Sequence, residues 1–232
     1  MKLYFKKHAW GNTELKDLID VMVETLGESG KEHPALDIAR FQKDWLESAG
    51  TNCVRASWSK DSSEVLFTQT AARDLNPTLR YHKLRVGLFD KEGKLIRHQD
   101  IFLNNESETK VDMGDLSEVE AIMPNLEDFG FIIVELDNAS RDFFLKNINK
   151  VQDPLSRLII LKSYYDMATE AKIKASEFCE FALTTLEESI SIDVFNLTAG
   201  FIDDVVYNYL APSETKRFCA LFFTRYCQIL KH

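Results

Sequence analysis

Histidine and cysteine side chains are among the groups in this chain that could hold a metal ion or act as nucleophiles. Two imidazoles bind zinc together when they lie on one face of a helix, as in the HExxH pattern, and that pattern is absent from the sequence. No two cysteines form a CxxC pair, the spacing typical of metal sites. The sequence therefore predicts no catalytic, cofactor-binding or metal residues in this chain. The residues considered are His8, His33, His82, His98, His232, Cys53, Cys179, Cys219 and Cys227.

Other common signatures of catalysis are absent as well. The sequence contains no GxSxG nucleophile turn, no GxxxxGK[ST] phosphate loop and no GxGxxG dinucleotide motif. Cys219 and Cys227 lie among Phe, Leu and Tyr residues of a predicted helix, so we expect both to be buried apolar side chains. Adjacent residues of a helix point in different directions, and we therefore assign no acid–base role to the neighbouring acidic pairs. These pairs are Glu187-Glu188 and Asp203-Asp204.

The charge of the chain argues against some classes of partner. Its formal net charge is −9 at pH 7, whereas proteins that bind nucleic acid concentrate Lys and Arg on one face. We expect no nucleic-acid partner. One stretch is basic, and we interpret it as the solvated outer face of a sheet, with docking of an acidic neighbouring domain as the alternative. Its basic residues are Arg80, Lys83, Arg85, Lys91, Lys94 and Arg97.

The pattern of apolar residues predicts a cytoplasmic protein without membrane contact. No apolar run approaches the roughly 18 to 20 residues that span a bilayer. Residues 1–7 lack the long apolar stretch of a signal peptide. The four cysteines are too sparse for a disulfide framework, which fits a reducing compartment.

Two strands joined by a tight turn are predicted between Leu79 and Leu103. In the first arm apolar residues alternate with Lys83 and Arg85, which is the period of two of a half-buried strand. Gly93, in the turn at residues 91–94, can adopt the positive φ that short hairpin loops require. Together the strands predict a small antiparallel β-sandwich. The further predicted strands are Val65 to Thr70, Lys110 to Met113 and Phe131 to Leu136.

Helical periodicity is found on both sides of these strands. Before them, two amphipathic helices are predicted, each ended by a glycine. After them, Asp153-Pro154 is typical of a helix start, because Asp can accept the first N–H bonds and Pro needs none. Successive helices with short connections predict a helical repeat. The predicted helices run from Thr13 to Gly27, from Pro34 to Gly50, from Asp153, from Ser176, from Val194 to Leu210 and from Pro212.

The sequence therefore predicts an α+β multi-domain fragment. It consists of an N-terminal helical segment, a small antiparallel β-sandwich and a C-terminal α-helical repeat array. The predicted domain boundaries are 1–58, 59–138 and 139–232.

Five short segments carry a more specific signal. They are FKKHAWGNT at 5–13, WLESAGTN at 45–52, LRVGLFD at 84–90, NLEDFGFIIVELD at 125–137 and DPLSR at 153–157. In this order they resemble zinc-dependent aminopeptidases of the aminopeptidase N and puromycin-sensitive type, which are gluzincin metallopeptidases. The resemblance covers nearly the whole chain and only the part of such enzymes that is C-terminal to the zinc site.

The resemblance implies a role for each predicted unit. Residues 1–58 would be the C-terminal helices of a thermolysin-like catalytic domain, 59–138 a β-sandwich domain, and 139–232 the start of a HEAT/ARM-like domain. The family's HExxH and GxMEN segments match no position here, so no catalytic residue is carried over and zinc is expected only in the full-length family. We expect Trp10 to anchor packing before a helix and His8 to be partly buried.

Two functions remain open. In the first, the chain is the C-terminal region of a zinc aminopeptidase that removes N-terminal residues from peptides, and it is structural and inactive alone. In the second, it is a non-catalytic protein that binds another protein through exposed helical faces or the basic hairpin. An in-frame HExxH encoded immediately upstream would support the first.

The last predicted helix has more aromatic residues than one layer of neighbours can cover. Phe218 and Phe222 share one helical face, and Phe223 lies off it. We expect exposed apolar surface at the helices of both ends of the chain, and association with a partner or with itself there. Polar residues at Phe222 and Phe223 would then improve solubility. The alternative is that these aromatic residues pack onto the helix Val194 to Leu210 as core.

Overall fold

The structure, a computed structural model, describes residues 1–27, 37–72, 77–186 and 192–229. Over these residues it is a mixed α/β protein, and no helix in them is long and apolar enough to cross a bilayer. The helices are α1 (Lys2–Lys7), α2 (Leu15–Leu26), α3 (Ile38–Phe41), α4 (Asn138–Asn147), α5 (Pro154–Thr169), α6 (Ala175–Thr185), α7 (Ile192–Asn208) and α8 (Pro212–Ile229). The strands are β1 (Asn52–Ser57), β2 (Glu64–Ala71), β3 (His82–Phe89), β4 (Leu95–Leu103), β5 (Glu108–Asp112), β6 (Ala121–Met123) and β7 (Ile133–Glu135).

The strands form two sheets, with orders β5-β2-β1-β7 and β4-β3-β6. All described pairs are antiparallel except β1 and β7, which run parallel with Val54 opposite Val134. The prediction of antiparallel pairing throughout is therefore wrong at β7. Strand β1 was not predicted either, and it lies inside the segment 1–58 that was expected to be helical. It shows little alternation because Asn52, Cys53 and Val54 are buried one after another.

The predicted hairpin is present as β3 and β4. Leu84, Val86 and Leu88 are fully buried, while Lys83 on the opposite face is exposed. The turn is fixed by Asp90, whose Oδ1 accepts hydrogen bonds from the main-chain N–H groups of residues 92 and 94 at 3.0 and 2.9 Å. Gly93 adopts φ +76°, as the turn requires.

Two apolar clusters hold the described part together. The first lies between the two sheets and draws on both, with Val54 and Phe67 from one sheet and Leu84 and Val86 from the other. The second joins the helices α4 to α8 to the sheets through residues such as Phe89 and Val134. This second cluster includes residues of β7, against which α5 packs directly.

Helix starts follow the predicted chemistry closely but with small shifts. The Asp153 carboxylate accepts a hydrogen bond from the Ser156 N–H at 2.7 Å, and Pro154 is the first helical residue, which confirms the predicted start of α5. Helix α2 begins one residue later than expected, because Glu14 and Asp17 form a reciprocal capping box in place of a Thr13 cap.

The aromatic residues of α8 divide between core and surface. Phe218 and Phe222 are buried against α6 and α7, whereas Phe223 is exposed. A polar residue at Phe222 would therefore disturb the core, so the prediction of better solubility is restricted to Phe223. Trp10 is fully exposed with φ +62°, so it is not the packing anchor that was expected. Cys219 is exposed rather than buried.

Gly93 provides a test of how tightly the hairpin turn contacts the segment before α5. A Cβ at this position would lie 2.8 Å from Lys150 Cβ, and φ is positive. We expect Gly93→Ala to lower the free energy of unfolding by about 3 kcal/mol, from backbone strain and overpacking together. Gly50→Ala is the control, since φ is +82° and no atom lies within 4 Å of the added Cβ; it should cost about 1 kcal/mol. If urea unfolding shows the same loss of unfolding free energy for both variants, the turn is not in tight contact with Lys150.

Candidate functional site

Arg80 was predicted to lie on the basic face of the hairpin, but its side chain is buried. The guanidinium fills the space between the end of the N-terminal helical segment and strand β1. After α3 the chain forms a short π-helical turn, Gln42–Leu46. The guanidinium donates to one carbonyl oxygen within this turn and to two just after it. It therefore caps the carboxyl end of the N-terminal helical segment. Its acceptors are Asp44 O (2.6 Å), Ser48 O (3.1 Å), Ala49 O (3.2 Å), Thr78 O (3.3 Å) and Asn52 Oδ1 (3.4 Å).

His82 is part of the same buried polar network. Its Nε2 lies 3.1 Å from Asn52 Oδ1 and donates to it, because an amide oxygen can only accept. Burial, and secondly the positive charge of Arg80, lower the pKa of His82 to about 4. The ring is therefore neutral at physiological pH and meets the edge of the Trp45 ring at a centroid distance of 5.3 Å. This network positions the backbone.

Three of the other basic residues of the hairpin are matched by acceptors. Arg85 donates to Asp100 at 2.7 Å and to Glu127 at 2.6 Å, and the hydrogen bond to Asp100 raises the pKa of Arg85. Lys83 lies 3.7 Å from Asp100. Arg97 donates to main-chain carbonyls at residues 113 and 115. These three cations are thus neutralised or satisfied locally and do not form a positive surface.

A second polar cluster joins the sheet to the loop after α5. Lys172 forms an ion pair with Glu135 on β7, and Arg55 on β1 donates to the same carboxylate at 2.9 Å. The Cys53 thiol lies 3.6 Å from Glu135 Oε2 and 3.9 Å from Lys172 Nζ. A cavity of about 730 Å³ adjoins this cluster.

The Cys53 thiol and the Glu135 carboxylate of this cluster have opposite protonation states. Burial raises the pKa of Cys53 to about 11, so the group is a neutral thiol near pH 7. Burial opposes ionisation of Glu135, but its hydrogen bonds to Lys172 and Arg55 dominate and lower its pKa. The cluster therefore acts as an ion pair that holds the α5–α6 loop to the sheet. Its members lie far apart in the sequence, and no local pattern predicts their meeting.

Those of the remaining predicted candidates that the structure describes do not assemble into a site. Asp204 accepts a hydrogen bond from the Tyr165 hydroxyl at 2.9 Å, while Asp203 is exposed and points elsewhere. His8 is partly buried as expected, and Cys227 is half-buried. Glu187, Glu188 and two histidines, His33 and His232, lie outside the described residues.

A zinc ion would need three or four ligands that converge. Within residues 1–27, 37–72, 77–186 and 192–229, no three His, Cys, Asp or Glu side chains come together with that geometry. The described part of the chain therefore does not fit a zinc centre.

A further apolar concavity lies between β7 and helix α5. Its volume is about 550 Å³. Phe129 and Phe131 form one wall and Leu155 and Leu158 the other, and the first three of these side chains are substantially exposed. The only ion pair of α5 that lines it, Lys162 with Asp166, is satisfied within the helix at 2.6 Å. Such a groove is suited to packing against another surface.

Comparison with known proteins finds a distant similarity. The chain is 25% identical to Aminopeptidase N of Streptomyces lividans over 226 residues, which are 92% of this chain and 25% of that protein. The chain thus spans about a quarter of the length of this relative. No protein-family profile matches the chain. The similarity supports an aminopeptidase N-like relationship for a part of such a protein.

His82 provides a test of the buried network. Its folded pKa of about 4 lies below its ordinary value of 6.5, so between these values the unfolded state binds more protons. Stability should therefore fall as pH drops through this window, by about 2 kcal/mol between about pH 7 and 4.5. His82→Gln should remove this part of the pH dependence. The control His98→Gln, at an exposed position on β4, should retain it. The check is urea unfolding at both pH values. If stability changes with pH in His82→Gln as much as in the unchanged chain, His82 is not the group responsible.

Proposed function

We propose that this chain is the C-terminal region of a zinc metallo-aminopeptidase that removes N-terminal residues from peptides. The observation that carries the proposal is the similarity to Aminopeptidase N, which extends over 92% of the chain rather than over one motif. In this proposal the chain has a structural role and the catalytic groups lie in another part of the enzyme. Peptide substrate is bound only by the full-length protein, in the cytoplasm.

The architecture is compatible with three successive units. The helices α1 to α3 would complete the catalytic domain, the two sheets would form a β-sandwich spacer, and α5 to α8 would begin a helical-repeat domain. The shared apolar cluster between the sheets supports the sandwich, since face-to-face sheets bury their inner residues together. The short connections between α5 and α6 and between α7 and α8 support successive antiparallel helices.

The N-terminal helices support the idea that this region packs on more protein. Val21 is the one residue of α2 that is buried, although the apolar side chains of α2 form a stripe along one face. Leu15 and Val23 on this helix remain exposed. In an aminopeptidase this face would contact the rest of the catalytic domain.

A non-catalytic interaction module descended from such an enzyme is the alternative. Exposed Leu221 and Phe223 on α8 favour it, because an apolar patch on a helix is typical of a protein contact surface. The partner would then be another protein bound through the exposed helices. The DNA immediately upstream distinguishes the two functions: an in-frame HExxH there supports the aminopeptidase, and its absence supports the module.

The proposal predicts that the isolated chain is inactive. Purified chain should contain less than about 0.1 equivalent of zinc and should not hydrolyse aminoacyl-aminomethylcoumarin substrates, because a zinc site needs three or four converging ligands. An active aminopeptidase N serves as the positive control for both measurements. Stoichiometric zinc, or activity that a chelator removes, would refute the structural role.

A further inference from the structure

Strand β4 is a long edge strand. It lies at the end of the order β4-β3-β6 and, in the part of the chain that the structure describes, it pairs along its length with β3 only. An edge strand of nine residues presents a row of main-chain donors and acceptors to any strand that can approach it. Proteins usually protect such edges, so a long edge strand with the exposed apolar residues Ile96 and Phe102 indicates an interaction surface.

The side chains of β4 are self-complementary. On its outer face lie four exposed residues, while Ile101 and Leu103 point into the core. If a second β4 approached in antiparallel orientation with Gln99 at the centre, residues whose numbers sum to 198 would face each other. His98 would then face Asp100, and Ile96 would face Phe102, and each pair would occur twice. The outward residues are Ile96, His98, Asp100 and Phe102.

We propose that two copies of this chain associate through antiparallel pairing of their β4 strands, which joins the two three-stranded sheets into one of six strands. Such an interface has twofold symmetry, the commonest arrangement in homodimers. Each symmetric half places an imidazole beside a carboxylate and an aliphatic side chain beside an aromatic ring. Both are favourable cross-strand pairs.

The surroundings of β4 are compatible with this pairing. Arg97, the one Lys or Arg residue of the strand, turns its guanidinium towards the carbonyls of Met113 and Asp115 and so places no charge against a second strand. Gln99 donates to Asp112 O at 3.2 Å on the same inner side. Asp100 remains ionised because its hydrogen bond to Arg85 lowers its pKa, so it can accept from His98 of a second copy.

A second copy fits this edge better than an unrelated extended peptide. A peptide would need only main-chain groups to add to the sheet. Binding of a peptide would not account for the complementary side chains of β4 on the two sides of Gln99. The symmetric order apolar, imidazole, carboxylate, apolar fits an identical strand in reverse direction. The proposal does not depend on the relationship to aminopeptidases.

Ile96→Lys tests the interface at an exposed position, where folding should be unaffected. Ile96 is 41% exposed, and Leu221 on α8, also 41% exposed, provides the matched control Leu221→Lys. In sedimentation equilibrium the unchanged chain and Leu221→Lys should form dimers with similar dissociation constants. Ile96→Lys should raise that constant roughly tenfold or more, since a lysine would face Phe102 twice in the dimer.

Two results would overturn the proposal. One is a monomeric unchanged chain at all concentrations tested. The other is a dimer that Leu221→Lys weakens while Ile96→Lys does not, which would place the contact on the helices. Circular dichroism of each variant confirms that the fold is intact.

A disulfide test reports the register directly. In the proposed dimer Gln99 faces its own copy, with Cα atoms about 4.5 to 5.5 Å apart, within the range that a disulfide spans. Gln99→Cys in a chain that also carries Cys219→Ser and Cys227→Ser should form a covalent dimer under mild oxidation. Lys110→Cys, at an exposed position of the edge strand β5, is the control and should remain monomeric. Equal crosslinking of both variants would refute the register, as would no crosslinking of Gln99→Cys in a chain that dimerises.

Discussion

The buried guanidinium of Arg80 is the interaction on which the arrangement of the N-terminal half depends. Removing an arginine from water costs several kcal/mol unless its donors are satisfied. Here they meet main-chain carbonyls from the end of the N-terminal helical segment and the side chain of Asn52. Carbonyls at the end of a helix carry partial negative charge, and together with the buried Asp44 carboxylate they compensate the cation. One side chain thereby fixes where the helical segment ends and where β1 begins.

Local chemistry explains which parts of the fold could be predicted from the sequence. The hairpin, the start of α5 and the conformation of Gly93 each depend on residues close in sequence, and each prediction was confirmed. Strand β1 and the parallel pairing with β7 depend on partners far along the chain, which periodicity does not report. The burial of Arg80 was also missed, because a basic residue near a hairpin is usually exposed.

The candidate chemistry shows the same division. Sequence motifs argued against a metal site and a nucleophile, and this stays a prediction. The contact of Cys53 with Glu135 and Lys172 could not be predicted, since it forms only after β1, β7 and the α5–α6 loop meet. The burial of Cys219 and Trp10 was predicted wrongly. Residue type and apolar sequence neighbours indicate only how often such a side chain is buried, whereas its actual exposure depends on which other elements pack against it.

The parallel pairing of β1 with β7 also determines when the chain can fold. Arg55 and Glu135, which face each other across this pair, are 80 residues apart in the sequence. The long loop must close before the four-stranded sheet is complete, which slows folding in comparison with local hairpins. During synthesis, β1 and β2 emerge first and wait with one edge unpaired until residue 135 has left the ribosome. A chaperone that shields this edge would be most useful during that interval.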